Sequence, residues 1–152
     1  MNIEQYYLTL ATGEQVLGEY DREGDILELI FQSGEATCAI ELTESMILRF
    51  DWDNTEPLSL SFISFSQLKQ PSPYGDLYFQ LLTDEWPDEA KDKVWHILRQ
   101  APLAEILTIS SYAPAHTQQL IPMTVNLRPD RFLKPVRSGL PFLFIKLTTM
   151  IN

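Results

Sequence analysis

The stretch YYLTLATGEQVLGEYDREGDILELIF, residues 6–31, decides the fold class. Tyr6 to Ala11 has the aromatic and β-branched character of a strand and is closed by Thr12-Gly13. Along Glu14 to Tyr20 the side chains alternate, with Gln15, Leu17 and Glu19 on one face and Val16, Gly18 and Tyr20 on the other. That is the period of two a pleated strand imposes. Asp21-Arg22-Glu23-Gly24-Asp25 is polar and carries a glycine, the chemistry of a hairpin loop, and Ile26 to Phe31 forms the next strand. Ser33-Gly34 turns the chain again into Ala36 to Leu42. Four short strands joined by tight turns predict an antiparallel meander or a small barrel-like sheet.

Outward from that stretch, Met46 to Trp52 and Leu58 to Phe65 read as two further strands. Leu58, Leu60, Phe62 and Ser64 share one face of the second; Ser59, Ser61, Ile63 and Phe65 share the other, a half-polar face of the kind that meets water. Asp76 to Leu82 is strand-like. Pro87 to Gln100 reads as the main helix, with Ala90, Val94, Ile97, Leu98 and Ala101 at helical spacing. Thr83 offers a cap, Asp84 and Glu85 suit a first turn, Arg99 falls late where the helix dipole favours a cation, and Pro102 stops the helix. Trp95 sits at the border of the apolar stripe. Glu105 to Ser111 reads as a buried strand, Tyr112 to Pro122 as a loop, and Met123 to Leu127 and Phe142 to Thr149 as late strands. The fold class expected is α+β and β-rich, with one main helix over about 87–100 packed on the sheet.

Leu10 to Tyr20, with a turn glycine at Gly13 and a second glycine, Gly18, inside the following strand, resembles the opening strands of Sm-like and SH3-like small barrels. The resemblance covers about 35 residues and implies shape only, because those folds host unrelated activities. Gly18, inside its strand, is itself expected to mark a bulge or a sharp bend, as barrels need where strands coil.

A length of 152 residues predicts one domain, with Gln70-Pro71-Ser72-Pro73-Tyr74-Gly75 as the candidate internal boundary near 70–75. Cys38 is the only cysteine, so no internal disulfide forms. The opening Met1-Asn2-Ile3-Glu4 lacks the features of a signal peptide, and the most apolar segment, Leu140 to Leu147, is too short to span a bilayer. The location expected is cytoplasmic, without membrane association. Net charge is −10 and uneven: residues 1–76 hold 14 acidic and 3 basic side chains, residues 77–152 hold 7 and 8. Such a field repels nucleic acid and attracts cations or a basic protein partner; it also serves solubility alone.

Candidate chemistry is sparse. Asp51, Asp53, Thr55 and Glu56 place oxygen ligands in one loop, the hardness that Ca²⁺ requires. No glycine stands where a calcium-binding EF-hand loop needs one, and Phe62 falls where its closing glutamate would be. A looser site would add Glu19, Asp21, Glu23 and Asp25; solvated loop charges explain the same residues. His96, His116 and Cys38 complete no transition-metal spacing. There is no Gly-x-Ser-x-Gly elbow and no glycine-rich phosphate loop. His96 is expected as a border or core histidine, and Cys38 as a small apolar filler. Arg128, Arg131, Lys134 and Arg137 form the one basic cluster, fit to bind a phosphate or an acidic partner, or to pair with the chain's own acidic half. Trp52 and Trp86 are the tryptophans expected at the surface, where they would anchor an interface.

No catalytic motif is present. The function expected is that of a small acidic non-catalytic binding or accessory protein engaging a basic protein partner. A Ca²⁺-binding protein using the 51–56 loop is the alternative, an enzyme built on His116 or a phosphate pocket at Arg128 and Arg131 a third, and a homodimer is compatible with each.

Overall fold

A computed structural model describes residues 3–69, 78–112, 121–126 and 133–135. The chain forms β1 (Ile3–Thr9), β2 (Gln15–Asp21), β3 (Ile26–Ile30), β4 (Cys38–Thr43), β5 (Met46–Asp51) and β6 (Glu56–Ile63). After a 3-10 turn (Phe65–Lys69) come β7 (Tyr78–Gln80), α1 (Asp88–Leu98), α2 (Leu103–Ile106), β8 (Leu107–Tyr112), β9 (Ile121–Asn126) and β10 (Leu133–Pro135). The α+β, β-rich class holds. The candidate boundary at 70–75 and the late strand at 142–149 lie outside the described residues.

The strands build an open seven-stranded antiparallel sheet in the order β10-β1-β2-β3-β6-β5-β4, and a three-stranded sheet in the order β7-β9-β8. The first meander is shorter than the sequence predicts. β1, β2 and β3 pair in chain order, but β3 pairs next with β6, and β4 lies at the far edge. The reason is the connection over residues 31–37, which the sequence presents as a tight Ser33-Gly34 turn. Instead it crosses the end of the sheet: Phe31 N–H donates to Leu58 O (2.9 Å) and Thr37 N–H to Phe50 O (3.2 Å). A second meander, β4-β5-β6, is thereby joined to the first along β3 and β6.

Gly18 makes no bulge. It pairs in unbroken register with Tyr6 on one side and Leu29 on the other, and the irregularities fall instead between Glu41 and Thr43 and between Arg49 and Phe50. Gly13 is needed for its turn, since its φ of +89° is costly for any residue with a Cβ.

One face of the large sheet is the core. Tyr6, Gly18, Leu29, Leu60, Leu48 and Ile40 form one row across it, and Tyr20, Leu27, Phe62 and Met46 the next. Ala90, Val94, Ile97 and Leu98 of α1, with Leu103, Ile106 and Leu107, belong to the same buried cluster. Fully burying each large apolar side chain contributes roughly 1.5–3 kcal/mol. The helix begins later than its acidic opening suggests. Thr83–Glu85 is a separate 3-10 turn, Pro87 takes the N-cap position, and no side chain caps α1. Ala101 lies beyond the helix and is exposed, whereas Trp95 packs at the border of the core as expected.

β6 stops at Ile63 because Ser64 takes a left-handed φ of +53°. Phe65 therefore leaves the strand and packs beside Tyr20 (5.5 Å between centroids) and Phe62 (6.4 Å), on the core side and not the serine side. Asp25 clamps this corner. Its carboxylate accepts hydrogen bonds from the Tyr20 hydroxyl (2.7 Å), the Ser66 hydroxyl (2.6 Å) and Ser66 N–H (3.0 Å), while its carbonyl accepts from Phe65 N–H (2.9 Å). The Ser66 hydroxyl is the main reason the Asp25 carboxyl sits below the usual range; burial, the next largest effect, opposes it, and the Tyr20 hydroxyl and Ser66 N–H add to the lowering.

A depressed native pKa means the unfolded chain binds the proton more readily, so Asp25 contributes stability above the ordinary aspartate pKa and loses it as pH falls through the native value. With Asp25→Asn, stability measured by urea between about pH 3 and pH 6 is expected to depend less steeply on pH than in the native chain. The difference should stay within about 1 kcal/mol, because solvent still reaches the carboxylate. Identical pH slopes would show that the clamp does not depend on charge.

Candidate functional site

The second face of the large sheet carries a different chemistry. Because strands paired in register share faces, it can be read row by row. One row is Gln5, Glu19, Glu28, Ser61, Ile47 and Glu41; a second is Tyr7, Leu17, Ile30, Ser59, Arg49 and Ala39; a third is Ile3, Asp21, Ile26 and Ile63. None of these residues belongs to the core cluster. Leu17, Ile26, Ile30, Ile47 and Ile63 are half-buried, and Ile3 is 42% exposed.

Aliphatic side chains therefore alternate with carboxylates across one surface. Arg49 is the cation at its centre and is already engaged. Its Nη1 donates to Ser61 Oγ (2.7 Å) and lies 3.7 Å from Glu28 Oε2, and Ser61 Oγ donates in turn to Glu28 (3.4 Å). This contact explains a departure from the sequence reading: Ser59 and Ser61, expected at water, are 8% and 2% exposed. Small side chains set between longer neighbours are covered by them. Glu19 and Glu41 have no basic partner among the described residues. On the opposite face, in register with Tyr20, Glu4 pairs with Arg22, and its carboxyl is held low chiefly by the Tyr6 hydroxyl (2.6 Å).

Several oxygens of the acidic loop are engaged within the protein. Asp51 turns its oxygens onto its own loop, accepting from Asp53 N–H (3.1 Å) and Asn54 Nδ2 (2.6 Å), while Glu56 accepts from Gln32 Nε2 (3.3 Å). Lys93 of α1 closes the loop from the helix side. Its ammonium donates to Trp52 O (2.8 Å) and Thr55 Oγ1 (3.3 Å) and stands 4.8 Å from the centroid of the Trp52 ring. Among the described residues, no three His, Cys, Asp or Glu side chains gather as a metal ion would require.

The remaining candidates separate. Trp52 is half-buried, packs against the core, stacks on Phe50 (6.2 Å) and carries Lys93 on its ring, so it serves the helix–sheet junction and not the open face. The surface role expected of Trp86 is overturned. It is 3% exposed, donates from Nε1 to Glu41 O (2.8 Å) and meets Trp95 edge-on (5.6 Å). A proline beside a tryptophan suggests a loop, but this loop folds over the β4 edge. His96, expected at the core border, is exposed on α1. Cys38 packs against the core as a free thiol whose pKa burial raises, in keeping with a filler. Arg128, Arg131, Arg137 and His116 lie outside the described residues, as does the side chain of Lys134, which sits on β10 opposite Tyr7.

Sequence reasoning missed the aliphatic half of the open face. The signal was present in Ile26-Leu27-Glu28-Leu29-Ile30, where apolar residues occupy both faces of a strand. That pattern means the second face is not simply solvated.

No helix among the described residues is long and apolar enough to cross a membrane. No family model matches the chain, and no curated protein and no solved structure matches it either.

Proposed function

We propose that the chain is a small non-catalytic binding or accessory protein, working in the cytoplasm, that docks a basic protein partner on the open face of its seven-stranded sheet. The observation that carries this reading is the interleaving of Leu17, Ile30, Ile47 and Ile63 with Glu19, Glu28 and Glu41 on one surface. Aliphatic area supplies affinity, while a carboxylate field at net charge −10 selects a cationic surface and speeds its approach. Arg49 is held by Glu28 and Ser61 and leaves Glu19 and Glu41 for the partner.

Affinity capture at about 50 mM and about 300 mM salt tests the reading, since screening weakens exposed charge pairs over that range. A basic partner retained at low salt, released at high salt, and lost to a Glu19→Lys, Glu41→Lys variant at both is the expected result. A partner held equally by the variant, or no salt-sensitive partner, would refute it.

A further inference from the structure

The four sheet edges are not protected alike. At β4, Trp86 Nε1 donates to Glu41 O (2.8 Å) and Leu82 N–H to Leu42 O (2.9 Å), so the 82–86 segment takes up two of its carbonyls. Among the described residues β10 covers three positions and contains Pro135, which has no N–H to offer, and β7 also covers three. β8 is six residues long, and among the described residues no strand lies beyond it. Its sequence, Leu107-Thr108-Ile109-Ser110-Ser111-Tyr112, contains neither charge nor proline, and Thr108 is exposed.

The neutrality extends further. From Ile106 to Leu127 there is no Asp, Glu, Lys or Arg, in a chain where 21% of residues are charged. Two molecules that each carry −10 repel over most of their surfaces, and this sheet is where they can approach at least cost. A neutral strand also has nothing with which to select a cationic peptide. A strand laid antiparallel to its own copy needs no such selection, because a two-fold axis presents each copy with the same row of N–H and C=O groups.

We infer that β8 is a self-association edge: two copies join through antiparallel β8–β8 pairing, turning two three-stranded sheets into one of six strands. Three strands are near the lower limit for a stable sheet, so doubling the sheet stabilises both halves. The pair then presents two acidic faces, and a partner with two basic sites is bound with avidity.

Light scattering or sedimentation of the 152-residue chain over about 1–100 μM tests this, the range in which modest interfaces dissociate. The expected mass is twice 17.5 kDa at the upper end. Thr108→Glu, at an exposed position, is expected to raise the dissociation constant at least tenfold while leaving the circular dichroism unchanged, because it brings a negative charge from each copy into an otherwise neutral interface. An equimolar mixture with Thr108→Lys should restore the doubled mass. A native chain monomeric throughout, a dimer indifferent to Thr108→Glu, or a mixture that fails to recover would each overturn the inference. None of these readouts involves the open face of the large sheet, so its failure is distinct from failure of the partner-binding reading.

Discussion

Phe62→Ala is expected to cost about 3–5 kcal/mol of folding stability, the range for truncating a fully buried aromatic side chain. Phe62 has no exposed surface and stands between Leu27 and Met46, with Phe65 edge-on at 6.4 Å. It belongs to β6, the strand of the second meander that pairs with β3 of the first, so a cavity there loosens the seam between them. Against a typical total of about 5–15 kcal/mol, the loss leaves a marginal protein. The midpoint of urea unfolding should fall sharply with little change in slope, since the surface exposed on unfolding is nearly the same. A loss below about 1 kcal/mol would mean that the site collapses around the missing ring, and would refute the central packing role given to it.

Trp86 is the second position of large effect, for two separable reasons. Trp86→Ala removes a ring only 3% exposed and is expected to cost about 3–5 kcal/mol. Trp86→Phe keeps most of the apolar volume but leaves Glu41 O without its indole donor, which should cost about 1–2 kcal/mol. The alanine variant carries a further consequence. With the indole gone, the β4 edge loses one of its two covers, and exposed edges recruit other strands. Scattering that rises with concentration beyond the mass of a β8-paired dimer in Trp86→Ala, with no such excess in Trp86→Phe, is the expected pattern. Equal scattering from the two variants would show that the hydrogen bond both have lost, and not the volume of the ring, guards the edge.

The period-two alternation in Gln15–Asp21 identified β2 and its faces correctly, and the spacing of Ala90, Val94, Ile97 and Leu98 identified α1. Alternation and helical spacing are local properties, and both are written along the chain. Strand order is not. Nothing in Ser33-Gly34 distinguishes a hairpin turn from a crossing, because the difference lies in which strand waits on the other side. The fate of Trp52 and Trp86 was hidden for a similar reason. Their surroundings in sequence are acidic and proline-bearing, but the groups that bury them, Lys93 and the carbonyl of Glu41, come from segments more than thirty-five residues away. Of the candidate site, the carboxylate excess was legible from composition. Its placement among aliphatic residues required the register.

The joining of two meanders along one seam also bears on how the chain reaches this state. Each triplet assembles from neighbours in sequence, whereas setting Leu29 against Leu60 requires closing a stretch of about thirty residues before any bond rewards it. Within β1 to β6, the meeting of β3 with β6 is thus expected to be slower than the closure of either triplet. Changes along these two strands are expected to slow the forward rate, and changes in the outer strand β4 mainly to hasten unfolding, which stopped-flow refolding would check.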